Sequence, residues 1–488
     1  MSRHQFLATV FSLSAIALSG TASADSYVLV AETDEGCKLY LDGTDFVQEG
    51  CNVHVRNGDD STSTTNGLGN LIVGYDEDNG DTKTGSHNLV VGSNHSYPSY
   101  GGLIAGYDNS VSGIYASVSG GRANEASGVI SSVSGGYANT ASGSYTSILG
   151  GRSNDASGNY AAVSGGSYNT ASHYYAAVSG GYNNEASGKY AAVSGGYNNE
   201  ASGNYASVSA GYNNEASGTY TAVSGGTRNT ASGELSAILG GYDNEASGEY
   251  TSVSGGYANT ASGEYASVSG GYANTASGIV AAVSGGVYND ASGYYASISG
   301  GYSNEANGIF TAVSGGRENI ASGYAASVSG GYNNYVIGSY AAVSGGMYNS
   351  ASGYAASVSG GYDNEASGEY TSVSGGAISD AGGKYASVSG GYDNTASGEF
   401  SAISGGSMNK ASEYYSSVSG GRENIASGEL SSVSGGMYNT TSGYAASISG
   451  GSSLTASGYN SSILGGDHYN ASGYMESWSY DYYFMIWL

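Results

Sequence analysis

From residue 118 to residue 477 the chain is one fifteen-residue phrase written 24 times without an insertion or deletion. One column of this array is always Val or Ile, as at Val118, Val133, Ile148, Val253, Val268 and Ile463. A typical row reads Val253-Ser254-Gly255-Gly256-Tyr257-Ala258-Asn259-Thr260-Ala261-Ser262-Gly263-Glu264-Tyr265-Ala266-Ser267. Leu103 continues that column one row earlier, and Leu89-Val90-Val91-Gly92 and Leu71-Ile72-Val73-Gly74 read as two rows with looser spacing. Self-similarity at a fixed short period means stacked units, none of which buries a core alone. Fifteen residues cannot hold a helix pair, which takes more than about thirty. Two strands of four or five residues and two tight turns fit. The expected class is all-β: a parallel β-solenoid with two short strands per coil, elongated into a rod.

Composition supports this and excludes the rivals. Gly is 85 of 488 residues and charged residues are 10%, unlike a coiled coil. One Pro excludes collagen. That residue, Pro98, lies before the array, as it should if every stacked N–H is needed by a neighbouring coil. Gly fills the Gly121 column in all 24 rows, and the Gly128 column departs from it only at His173 and Glu413. Invariant Gly at a turn implies positive φ or close approach between coils.

Period-two alternation assigns the faces. Ala116, Val118 and Gly120 point inward, against the Ala126 column, which is Ala in 22 rows with Val336 and Thr441 as exceptions. The core residues are then Val118, Val133, Ile148, Val253, Val268 and their equivalents. Such a core is thin: each buried Val contributes about 1.5–3 kcal/mol, so stability must come from stacking. Asn fills another column in 21 of 24 rows, among them Asn124, Asn139, Asn154 and Asn259, and yields at Ser379, Leu454 and Tyr469. The expectation is an amide ladder bonding from coil to coil at a turn. Glycosylation is the weaker reading, since most rows continue Asn-Thr-Ala or Asn-Glu-Ala.

Two tyrosine columns recur. One precedes the small-residue strand (Tyr145, Tyr160, Tyr175, Tyr190, Tyr205, Tyr220), with apolar substitutes at Leu235, Phe310 and Leu430. The other follows the Gly pair (Tyr182, Tyr197, Tyr212). They read as stacked aromatics covering a corner, or as a platform for carbohydrate. The outward strip of Ser117, Ser119 and their equivalents, including Ser254 and Ser269, is Ser and Ala except for Leu149, Leu239 and Leu464. It reads either as a solvated face or as an interface with another copy of the chain.

The ends differ from the array. A basic start at Arg3 and His4, an apolar run from Phe6 to Leu18 and Ala22-Ser23-Ala24 read as a cleaved signal peptide over 1–24. The apolar run is too short for a comfortable membrane span, so no membrane-spanning segment is expected after cleavage. Residues 25–65 read as a small β cap, with short runs at Val28-Leu29-Val30, Leu39-Tyr40-Leu41 and Val53-His54-Val55. Its two cysteines, Cys37 and Cys51, most simply pair in an oxidising compartment, with free thiols or an interchain bridge as alternatives. Residues 66–117 are irregular first coils. The aromatic tail 478–488 reads as a cap on the last coil or as a docking strand for a partner.

Net charge is −27, so a nucleic-acid partner is excluded by repulsion. No enzyme is expected. His54, His87, His95, His173 and His468 form no metal-ligand pair of helical spacing, and no G-x-S-x-G opens a helix. No cofactor is expected, except weak calcium binding along the acidic columns Glu185, Glu200, Glu215 and Glu234, Glu249, Glu264. The alternative is a solvated face that keeps a rod soluble. Ice binding is a further reading of a flat solenoid face, but the column Thr140, Asp155, Thr170, Glu185 is not uniform.

The phrase Ser-Val-Ser-Gly-Gly-x-x-Asn-x-Ala-Ser-Gly resembles the head repeat of YadA-type trimeric autotransporter adhesins, over about three quarters of the mature chain. The resemblance implies a left-handed β-roll, a homotrimer and adhesion to a host surface, matrix or glycan. The opening segment Asn66-Gly67-Leu68-Gly69-Asn70-Leu71-Ile72-Val73-Gly74-Tyr75, followed by Thr84-Gly85-Ser86-His87-Asn88-Leu89-Val90-Val91-Gly92, is more closely similar to secreted bacterial repeat proteins of unassigned activity. The chain departs from the adhesins in its unit of 15 rather than 14, and it carries neither a heptad stalk nor a translocator barrel. The function expected is that of an exported structural or adhesive repeat protein, extracellular or on a bacterial cell surface. The alternatives are a glycan-binding module or an ice-binding protein.

Overall fold

The computed structural model describes residues 27–32, 36–77 and 79–478. The expected signal peptide and residues 479–488 of the aromatic tail lie outside them. The chain divides into two compact units, Met1–Arg56 and Asn57–Leu488.

The first unit is an antiparallel meander of β1 (Tyr27–Glu32), β2 (Lys38–Asp42) and β3 (Asp45–Glu49). Gly43, at φ 58, opens the two-residue turn between β2 and β3, as a tight hairpin requires. That turn returns the chain along β2 at once, so β3 takes the pairing edge. Val53-His54-Val55, expected to be extended like the other two runs, is in no strand. Cys37 and Cys51 are joined in a disulfide, their Cα atoms 5.1 Å apart.

The second unit is a parallel β-solenoid, with no helix among its described residues. It opens with β4 (Leu71–Val73), β5 (Leu89–Ser93) and β6 (Leu103–Tyr107). Ile72, Val90, Ile104 and Val118 pair in sequence. Ile104 is therefore the core residue beneath Val118. Leu103, expected in that column, pairs with Ser117 instead. The coil between them is one residue shorter than those of the array, and the period-two pleat puts its neighbour inside.

In the array each coil contributes two strands of only two residues, Ser252–Val253 and Thr260–Ala261 in the typical row. A third ladder one residue wide runs through Tyr257, which pairs with Tyr242 behind and Tyr272 ahead. Strands of four or five residues are not reached because three residues per coil are left-handed: Gly256 (φ 93), Ala258 (φ 53) and Tyr265 (φ 57). At Ala258 and Tyr265 this reverses the direction of the N–H. Ser252, Ser254, Tyr257 and Thr260 donate forward to the next coil, at 3.1, 3.0, 2.9 and 2.8 Å. Ala258 and Tyr265 donate backward to the Tyr242 and Glu249 carbonyls, both at 2.9 Å.

The two Gly columns have different causes. Gly256 is left-handed, and a Cβ there would overlap the Gly271 carbonyl. Gly263 is not left-handed, but a Cβ would overlap the Gly278 carbonyl. Where Glu413 replaces that second Gly, its N–H turns to Ser416 Oγ at 3.1 Å.

Val118, Val133, Ile148, Val253 and Val268 are at most 1% exposed, and the Ala126 column facing them is closed to solvent. Two polar columns share this interior. Asn259 is 0% exposed and Thr251 1%. The Asn ladder, expected at a turn, is buried here, and Thr251 stands in the inward-facing column of Ala116. Thr251 Oγ1 is satisfied by the Gly248 carbonyl at 2.8 Å, and Thr146 and Ser131 make the equivalent bond.

Candidate functional site

The surface of the solenoid is set by what its interior holds in place, and the interior is set by asparagine. Asn259 Nδ2 donates to the Gly255 carbonyl of its own coil (2.9 Å) and the Gly271 carbonyl of the next (3.1 Å). Its Oδ1 accepts the backbone N–H of Asn274 at 3.0 Å. Asn124, Asn139 and Asn154 make the same bonds. Every polar atom of a buried amide is thus used, which is the condition for keeping one in a core.

The ladder has two distinct ends. His95 takes the first rung: Nε2 lies 3.1 Å from the Val91 carbonyl, and Nδ1 accepts the Asn109 N–H at 3.3 Å. Both ring nitrogens are spent on backbone groups, so His95 is a structural rung and no metal ligand. At the far end Leu454 accepts nothing from the next coil but gives its N–H to Asn439 Oδ1 at 3.1 Å. Tyr469 then stacks on Trp478, with centroids 4.2 Å apart.

Outside, two aromatic ladders run along the coil edges. Tyr145, Tyr160, Tyr175, Tyr190, Tyr205 and Tyr220 stack face to face at 4.9, 4.8, 5.1, 4.8 and 4.7 Å. All six sit at left-handed φ, between 57 and 60°, where a bulky residue is unusual. Three rows put Ala at that position, Ala325, Ala355 and Ala445, and each carries Tyr one residue earlier. The displaced rings of Tyr324 and Tyr354 still reach the ladder, 5.4 and 5.6 Å from Tyr340.

The second ladder follows the Gly pair and includes cations. Arg122 lies over Tyr107 and Tyr137, at 5.3 and 6.0 Å. Arg317 lies between Tyr302 and Tyr332, at 5.3 and 5.5 Å. Guanidinium planes substitute for rings without breaking the stack. Within the face-to-face runs the ring faces are occupied by neighbours, so edges and hydroxyls meet solvent.

Between the ladders lies the strip that holds Ser254 and Ser269. It carries no ionisable side chain in any of the 24 rows, although the chain's net charge is −27. Leu149, Leu239 and Leu464 stand on it 62%, 61% and 65% exposed. The acids fall on the opposite face and its corners. Glu185, Glu200 and Glu215 are paired in register, one carboxylate per coil. Among the described residues no group of three or more His, Cys, Asp or Glu converges on a point that could hold a metal ion.

Two further titratable groupings are structural. Tyr97 donates to Asp76 at 2.8 Å, and Lys83 joins the same carboxylate at 3.2 Å, strapping the loop after β4. Burial and that hydrogen bond push the Tyr97 hydroxyl well above its usual range. Asp155, Asp290 and Asp380 occupy one outward column, and burial raises the pKa of each. Each also has one carboxylate oxygen with no partner. Among the described residues no helix is long and apolar enough to cross a membrane. No protein-family model matches the chain, and no curated protein does.

Proposed function

We propose that the chain is an exported structural and adhesive repeat protein that presents one surface pattern many times along a stiff rod. The observation that carries this reading is the uninterrupted array, which returns each exposed side chain once per coil. At ~4.8 Å per coil the 24 rows span roughly 115 Å. A weak contact made once per coil gains strength by repetition, provided the geometry lets copies engage together. The Cys37–Cys51 disulfide favours an oxidising compartment. The uncharged strip through Ser254 and Ser269 is where further copies of an acidic chain approach with least repulsion, and a homotrimer is the assembly we propose there. The glycan reading is weaker, because stacked tyrosines keep their faces for one another and sugars stack on faces.

The test compares the whole chain with a variant that lacks half of its repeats, excised as whole coils. Beads coated with each are washed over cultured cells and extracellular matrix under flow. Retention should fall steeply with the shorter array. No retention of the full-length chain on any surface would overturn adhesion. In parallel, light scattering of the full chain and of a Ser254→Arg, Ser269→Arg variant reads the assembly. A monomer at tens of micromolar would end the trimer.

A further inference from the structure

The two ends of the solenoid are built differently. At the far end Trp478 stacks on Tyr469 and closes the last coil itself, with ring centroids 4.2 Å apart. At the near end β4 has β5 on one side and, among the described residues, no strand on the other. Leu71 donates to the Asn88 carbonyl at 2.9 Å, so the pleat turns the N–H and carbonyl of Ile72 the opposite way, to the open edge. Ile72 stands in the core column yet is 39% exposed, whereas Val90, its partner on β5, is closed to solvent.

β4 also differs from the strands of the array in being apolar on both faces. The outward positions that hold Ser252 and Ser254 in the typical row hold Leu71 and Val73 here, 53% and 56% exposed. Leu89 and Val91 of β5 continue the exposed apolar patch, and residues 66–75 carry no charge. An unpaired strand edge beside such a patch is a template for another strand. The strand that fits it is itself apolar on both faces. Residues 482–488 read Tyr-Tyr-Phe-Met-Ile-Trp-Leu. Extended, they would set Phe484 and Ile486 on one face and Met485 and Trp487 on the other. The ten residues 479–488 reach at most about 36 Å, while the array alone separates β4 from Trp478 of the same chain by roughly 115 Å. A segment 482–488 that meets a β4 edge therefore belongs to another copy.

We propose that residues 482–488 of one copy add as a strand to the open edge of β4 in the next, joining the solenoids end to end. The Ile72 N–H and carbonyl supply main-chain hydrogen bonds, and the apolar side chains on both faces supply the fit. A contact between two different surfaces does not close on itself, so its product is a filament. The proposal does not rest on the trimer at the serine strip, which joins copies side by side.

The experiment measures particle lengths of the full chain by electron microscopy at tens of micromolar, because length separates end-to-end joining from side-by-side assembly. The expected result is rods in whole multiples of the single-chain length. Deletion of residues 479–488 should leave single-chain lengths, and so should Ile72→Pro, since Pro is tolerated on an edge strand and here removes an outward N–H. Mixing the two variants should restore pairs of two chains and no more, because one variant keeps the added strand and the other keeps the edge. Leu71→Lys with Val73→Lys, both at exposed positions, reads the same edge if Ile72→Pro loses β signal in circular dichroism. Single-chain lengths for the unaltered protein, filaments that survive either change, or a mixture without pairs would each overturn the proposal.

Discussion

The amide ladder inside the solenoid and the tyrosine ladders outside it run parallel along the same coils, and they obey different rules. Inside, Asn259 must offer two donors and one acceptor at fixed points, because Gly255, Gly271 and Asn274 each depend on it. Outside, a ring need only arrive in the stack. It comes from Tyr265 in one row and from Tyr324 in another, and Arg317 serves where no ring is present. Directional bonds fix the residue, whereas dispersion fixes only that the space is filled.

The sharpest way to break this comparison is a charge on either side of one strand. Val268→Asp buries a carboxylate with no partner and should cost about 4 kcal/mol or more, with loss of β signal from neighbouring coils in circular dichroism. Ser269→Asp, one residue on, should stay within about 0.5 kcal/mol. Equal damage would mean that the Ser269 face is packed and the distinction false. Next comes Asn259→Leu, which strips partners from two carbonyls and one N–H at about 1–3 kcal/mol each. Hydrogen exchange at the Asn274 amide should report it first.

The outer ladder should give less. Tyr265→Ala should cost about 1 kcal/mol in a thermal melt, and adding Glu264→Tyr should recover most of it by supplying the ring from the adjacent residue. If the second change recovers nothing, the ladder is as residue-specific as the interior. Smallest is Asp290→Thr. Burial raises the Asp290 pKa in the folded state, so its contribution to stability is fully present only below the unfolded carboxylate pKa and is lost as pH rises through the folded value. Replacement by Thr, the residue at Thr275 one coil earlier, should raise the melting temperature at neutral pH. The gain should vanish in acid.

Much of the fold is readable from columns, because a fifteen-residue period aligns every Val, Ala and Gly with its own equivalents. The conformation of the tyrosines is not readable in that way. Left-handed φ is ordinarily signalled by Gly, Asn or Asp, and Tyr265 carries no such mark. A hint lies in Asn460, which stands in the same column at φ 54. The other left-handed column signals itself better, through Asn183, Asn198, Asn213 and Asp243. Leu103 misled because a run of apolar residues hides a one-residue slip; only the pairing of Ile104 with Val118 reveals it. The outer ladders were legible as columns of Tyr, but their extension by displaced rings such as Tyr324 was not, since those rings drop out of a column count.

Because every row from 118 to 477 meets the next in the same register, a coil has no address of its own. Its neighbours would accept any other coil in its place. At the level of the gene, recombination between two rows out of step by whole repeats keeps the reading frame and the backbone register. Such an event alters only how far the rod reaches. The length of this protein is thus a trait that can vary by single steps of one coil, while the pattern on its surface is inherited intact.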